Sequence, residues 1–193
     1  MSNRMRQLNA FTILSLDGYF AGPNGEIDWF KTNDEEDNRF SREHADPTST
    51  LVFGRTTYEM MKSFWPTPFA IKTEPVMAGV LNNNQKIVFS RTMEPVKDGP
   101  VWKHVRVIRD LTPESVMNLK KEQGGSMTIL GSGTIVRQLA NFGLIDKYGL
   151  LVNPIILGAG KHLFQDVKKM NLKLVESRAF GSGKVYLRYR PVA

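Results

Sequence analysis

Apolar residues fall in short runs broken by glycine, proline and hydroxyl residues, and the period of the runs changes along the chain. Residues 7–16 are apolar and β-branched enough for a strand, and they stop at Asp17-Gly18, a turn signal. A second turn cluster, Gly22-Pro23-Asn24-Gly25, follows closely, so residues 19–30 are predicted as a loop carrying exposed aromatics. Thr32 or Asn33 can cap a helix whose first turn holds Asp34, Glu35, Glu36 and Asp37. Glu35 stands three residues after Thr32 and Glu36 three after Asn33, so either pair makes a capping box. That helix should fade near Ala45, ahead of Pro47.

A short strand over 50–53 then meets Gly54-Arg55-Thr56-Thr57 and a helical start at Tyr58. Residues 64–75 contain three prolines and read as a loop, and 86–90 as a compact strand. The 105–108 segment alternates with arginines as another strand, and Thr112-Pro113-Glu114 opens a helix closed by Gly124-Gly125. Residues 127–130 form a buried strand, after which Gly131-Ser132-Gly133-Thr134 opens a helix. Its apolar positions Ile135, Val136, Leu139 and Ala140 keep helical spacing, and Gly143 ends it. A long strand over 147–157 is interrupted by Pro154, expected to mark a bulge or an edge. Segments 172–177 and 184–190 flank Gly181-Ser182-Gly183 as an antiparallel hairpin. Strands alternating with helices imply an α/β domain with a central, mostly parallel sheet covered on both faces, which the closing hairpin makes mixed.

The 193 residues, 41% hydrophobic and 23% charged, fit one globular domain over 1–193 and exclude a disordered or fibrous chain. There are no cysteines, which removes thiolate nucleophiles, thiolate metal sites and disulfides together. No signal-peptide core or membrane-spanning run is visible, so the expected location is the cytoplasm, with no membrane partner. A net charge of +7 favours an anionic partner, whether nucleic acid, membrane surface or phosphorylated small molecule. No basic-plus-aromatic motif supports nucleic acid. His44, His104 and His162 are too scattered for a local metal motif, and neither a phosphate loop ending in Lys-Ser/Thr nor a Gly-x-Ser-x-Gly elbow is present.

Two strand–turn–helix junctions remain, Gly54-Arg55-Thr56-Thr57 and Gly131-Ser132-Gly133-Thr134. Small residues there let backbone approach a phosphate, and free N–H groups at a helix start point toward it. Val136 holds the place of the third glycine, so the second junction is not a dinucleotide fingerprint of the Rossmann kind. Each junction also reads as an ordinary tight turn.

The order and spacing of several pieces resemble the dihydrofolate-reductase-like fold, a three-layer α/β architecture. The specific resemblance is to the reductase domain of the bifunctional riboflavin-biosynthesis deaminase-reductase. The pieces are Ser15-Leu16-Asp17-Gly18 with Ala21, Val52 to Glu59, Leu139-x-x-x-Gly143-Leu144-Ile145-Asp146, Asn153-Pro154, Leu157-Gly158 and Leu163-Phe164. Together they span nearly the whole chain.

The resemblance implies an NADPH-dependent reductase acting on a small heterocyclic or ribosylamino-pyrimidine-like substrate, assembled as a homodimer. A nucleotide-binding or sensory protein of the same fold, without turnover, is the alternative. It places the cofactor on Gly54, Arg55, Thr56 and Thr57, on Ser90 and Arg91 for the adenosine 2′-phosphate, and on Gly131, Ser132, Gly133, Thr134 and Ile135 for the pyrophosphate. Gly131-Ser132 stands where dihydrofolate reductase has two glycines joined by a cis peptide, a form disfavoured outside X–Pro bonds. Trp29 falls in the loop that covers the nicotinamide. Asp34 falls where a carboxylate assists proton delivery, although it also reads as a helix-start acid. Asp17, Phe64 and Trp65 are the expected substrate-pocket residues, the two rings as stacking walls. Against the riboflavin enzyme, the acid before the glycine turn is Leu130, and Ser63-Phe64-Trp65-Pro66 replaces the proline-and-arginine segment.

Overall fold

In this computed structural model, which describes residues 5–30 and 35–192, the first strand of the chain lies in the middle of the sheet. β1 (Leu8–Ser15) runs parallel between β6 (Met127–Gly131) and β7 (Lys147–Asn153), with Leu8 opposite Met127 and Asn9 opposite Lys147. Beyond β6 lie β3 (Thr50–Gly54), β4 (Lys86–Phe89) and β5 (Val105–Ile108), all parallel. On the other side β10 (Val185–Val192) joins β7 antiparallel and carries the edge strand β9 (Asn171–Ala179). A separate ribbon pairs β2 (Tyr19–Ala21) with β8 (Lys161–His162). The expected mixed sheet is therefore present. β3 and β4 read as unbroken apolar runs because they are buried on both faces, as Val52, Phe53 and Val88 show.

Alternation along β1 sends Leu8, Ala10 and Leu14 to one face and Phe11 and Ile13 to the other. The first face is covered by α5 (Pro113–Lys121) and α6 (Gly133–Asn141) through Val116, Leu119, Ile135, Val136 and Leu139. The second face carries two separate clusters. α2 (Arg55–Phe64) and α4 (Pro75–Asn83) cover Leu51, Phe53 and Val88 with Tyr58 and Leu81. α1 (Glu35–His44) covers Leu151 and Tyr186 with Phe40. Between the clusters runs a seam over β1 and β6, where Phe11, Ile13 and Leu130 are only half-buried.

Several expectations need correction. Residues 19–30 are not all loop, because Tyr19–Ala21 pairs with residues 161–162, a partner too distant in sequence for local patterning to show. The proline-rich 64–75 stretch holds α3 (Pro68–Thr73) and the start of α4. Pro68 and Pro75 sit at helix starts, where a missing N–H costs nothing, and Thr67 caps α3 by accepting from Ala70 N. α2 begins at Arg55 rather than Tyr58, and β7 ends at Asn153, so Pro154 terminates the strand instead of interrupting it. The capping candidates Thr32 and Asn33 lie outside the described residues. The α5 start carries the full capping box, with Thr112 and Ser115 bonding reciprocally at 3.1 and 3.0 Å.

At the start of β4, Lys86 is fully buried. Its Nζ donates to Asn82 O, Asn84 O and Lys103 O at 2.8 to 2.9 Å and stands 4.4 Å above the Trp102 ring. Burial pulls its pKa down from 10.5 to about 8. Among the described residues no helix is long and apolar enough to cross a membrane, and no group of side chains could hold a metal ion.

Candidate functional site

The two glycine-rich junctions, 77 positions apart in sequence, touch in space because β3 and β6 are neighbours and end together, with Phe53 opposite Gly131. A Cβ on Gly54 would stand 3.1 Å from Ser132 Oγ, and one on Gly131 would stand 2.8 Å from Thr57 Oγ1. Gly131 has φ 139°, a conformation that favours glycine, and the Gly131–Ser132 bond is cis. Glycine at these positions thus lets one turn lie directly on the other. Neither α2 nor α6 has a side-chain cap, in contrast to α3 and α5. Their first N–H groups are left to face the crevice, which is the arrangement that takes a pyrophosphate. The cradle therefore fits the phosphate end of NADPH. Thr134 is exposed at its rim and Ile135 is buried beneath it, its N–H donating to Ser132 O at 3.0 Å.

One strand further out, Arg55 and Arg91 are both exposed at the ends of β3 and β4. Arg55 bonds Glu59 at 2.7 Å and Thr92 Oγ1 at 3.1 Å. Ser90 Oγ accepts from Met93 N at 3.2 Å, which folds the 90–93 turn. Arg109 donates to Arg91 O at 2.8 Å and so brings a third guanidinium to the same turn. Sequence reasoning missed Arg109, although its place at the end of β5, level with Ser90, follows from the shared register of β4 and β5.

On the other side of β6, Ser15 pairs with Asn153 at the ends of β1 and β7, and Lys184 follows in the same row just before Val185 of β10. Lys184, 8% exposed, donates to Oδ2 of Asp37, 6% exposed, from the first turn of α1. Asp37 Oδ1 is buried with no hydrogen-bond partner. The Lys184 row that this carboxylate meets lies three strand spacings across the sheet from the glycine turn, about 14 Å. Asp34 lies outside the described residues. The clue to Asp37 was its spacing from Phe40, which at i, i+3 puts both on the sheet-facing side of α1.

Asp17 ties two loops together. Its carboxylate accepts from Leu157 N at 3.2 Å and Gly158 N at 2.8 Å, tying the turn after β1 to the segment after β7. Hydrogen bonding from Ser15, with those amides, lowers its pKa to about 2. Trp29 is half-buried, donates to Glu26 O at 3.2 Å and meets Phe30 edge-on. Phe64 and Trp65 are not brought to the crevice. They stand at the far end of the ten-residue α2, about 14 Å along its axis from Arg55. Trp65 packs into the α2–α4 cluster and bonds Met61 Sδ, while Phe64 stays exposed against Phe69.

The family profile described as the RibD C-terminal domain matches residues 6–186. The uncharacterized protein YyaP of Bacillus subtilis (strain 168) is 32% identical over 192 residues, 98% of each chain. A structure from Shewanella sp. PV-4, of a protein assigned to riboflavin biosynthesis, superposes with a TM-score of 0.72 at 23% identity, covering 97% of this chain and 99% of that one. Dihydrofolate reductase of Enterococcus faecalis, solved with NADP(H), superposes with a TM-score of 0.66 at 18% identity over 97% of each chain. At those identities the two structures establish the shared fold.

Proposed function

Because this chain belongs to the RibD C-terminal domain family, we propose that it is an NADPH-dependent reductase of the riboflavin-pathway type, transferring a hydride to a small heterocycle in the cytoplasm. The observation that carries this reading is the contact between two uncapped helix starts, made possible by Gly54 and Gly131. NADPH, when bound, supplies the hydride. The chain's own residues position and exclude: the N–H groups at Gly133 and Thr134 hold the pyrophosphate, and Arg55, Arg91 and Arg109 receive the 2′-phosphate. The seam formed by Phe11, Ile13 and Leu130 gives the acceptor a flat apolar floor. A C=N bond that takes a hydride at carbon must take a proton at nitrogen. Asp37, held through Oδ2 by Lys184, is the buried group suited to this: protonated at Oδ1 it donates to that nitrogen, gives up the proton as the hydride arrives, and as a carboxylate takes a replacement proton from solvent. Leu130 leaves the acceptor without the acid of the pathway enzyme, which favours a substrate lacking the ribosyl phosphate.

Thermal unfolding with NADPH, NADH and no ligand tests the cofactor. NADPH at 100 times its dissociation constant should stabilise the fold by about 2.7 kcal/mol. The preference over NADH should shrink in Arg55→Ala, Arg91→Ala and Arg109→Ala, and absence of any NADPH shift overturns the reading. A shift without NADPH consumption across planar heterocycles identifies a binding protein instead. We also propose a homodimer through β9, whose exposed edge carries Leu172, Leu174 and Val175. A monomeric mass in light scattering rules that out.

A further inference from the structure

On the sheet face that carries Phe11 and Ile13, alternation places Ser15 at the end of β1, Asn153 at the end of β7 and Lys184 just ahead of β10. This polar row closes the apolar seam, and its members are 1%, 4% and 8% exposed. Ser15 Oγ accepts from Tyr19 N at 3.0 Å, and Lys184 is paired with Asp37. Asn153 is satisfied on one side only. Its Nδ2 donates to Leu14 O at 3.2 Å and to Leu151 O at 3.3 Å. Both partners are carbonyls, which only accept, so the amide is fixed with its nitrogen against the sheet. Among the described residues no donor reaches Asn153 Oδ1, and unlike Asn9 Oδ1 on the same face it is not closed off from solvent. Amide oxygens in such surroundings are nearly always bonded, because losing water costs stability unless a donor replaces it. The charges beside it, on Lys184 and Asp37, are paired with each other, so the position suits a neutral donor.

We propose that Asn153 selects the substrate, its Oδ1 accepting a neutral ring N–H such as that of a lactam while the C=N bond of the same ring turns to Asp37. The inference rests on the reductase reading and names the class of heterocycle that the site takes. Asn153 and Lys184 stand one strand spacing apart, about 5 Å, and Lys184 holds Asp37, so a single ring spans the two. A ring that lacks the N–H leaves Oδ1 covered and unpaired, which is how a site built around a polar group rejects an analogue without the matching donor.

Quinazolinone, a neutral bicycle whose lactam N–H adjoins a C=N bond, and its N-methyl derivative are the probes, each titrated into the full chain with NADPH present. Quinazolinone should bind about tenfold or more tightly than the derivative, and it alone should move the side-chain amide resonance of Asn153. In Asn153→Leu the two affinities should come within about threefold of each other, since neither compound then meets an acceptor. If that variant does not fold, the Asn153 resonance in the wild type carries the test. No saturable binding of quinazolinone, equal affinities in the wild type, an unmoved Asn153 resonance, or a tenfold preference kept in Asn153→Leu each overturns the proposal. Failure of the reductase reading shows separately, as no thermal shift with NADPH, and the two probes still report on Asn153 in that case.

Discussion

Replacing Lys86 with methionine is expected to destabilise the fold by about 3 kcal/mol, a large share of the roughly 5–15 kcal/mol that holds a domain together. Methionine matches the length of the stem and keeps contact with Trp102. It leaves Asn84 O and Lys103 O without the donor they now share, while Asn82 O keeps its bond from Lys103 N at 3.3 Å, and each buried acceptor that loses its donor costs about 1–3 kcal/mol. Part of this loss is recovered because a buried charge is removed. Urea titration at neutral pH measures the difference, and unchanged stability would show that water reaches these carbonyls.

The same residue sets a pH dependence. With its folded pKa near 8 and an ordinary value of 10.5, the unfolded chain binds more protons between those limits. Stability contributed by Lys86 is therefore reduced below pH 8 and grows as pH rises through the window. Tyr58, Tyr148 and Tyr186 act oppositely above 10.0, since burial raises their pKa values, that of Tyr148 to about 12. The rise belongs between pH 8 and 10, and Lys86→Met should lack it.

The second large effect is expected at Asp37. For whichever heterocycle the wild type reduces, Asp37→Asn should lower kcat about 10²–10⁴-fold, the usual contribution of a positioned acid or base. It also breaks the buried Asp37–Lys184 ion pair, and removing one partner of such a pair costs about 3–5 kcal/mol. Structural and chemical roles separate in the double variant Asp37→Asn/Lys184→Met. Removing both charges should return most of the stability and leave turnover low. Asp34→Asn should keep kcat within a few-fold. Recovery of both stability and turnover in the double variant would reduce the pair to a clamp between α1 and β10.

The central strands were legible because burial on both faces leaves them continuously apolar, as in Leu51-Val52-Phe53 and Ile87-Val88-Phe89. The glycine junctions were legible because a turn against a helix start restricts residue choice. α3 and α4 were hidden by counting prolines instead of placing them, for a proline after Thr67 or Glu74 starts a helix as readily as it breaks one. Asp37 was hidden in a run of four acids that local rules assign to a helix start. The third dimension brings Lys184 to it from 147 positions away, a contact no local rule anticipates. For Phe64 and Trp65 aromaticity says nothing of position, which the length of α2 sets at the end of the helix away from the glycine turns.

The central position of β1 also has a consequence for synthesis. β1 leaves the ribosome ahead of the other strands of its sheet, but its two neighbours begin at Met127 and Lys147, and Leu8 N finds its acceptor on Asp146. At about 5–20 residues per second, those 138 positions take roughly 7–28 s to translate. For that interval Leu8, Ala10 and Leu14 have no sheet to enter, so the nascent chain must be held soluble by the exit tunnel and chaperones until its second half arrives.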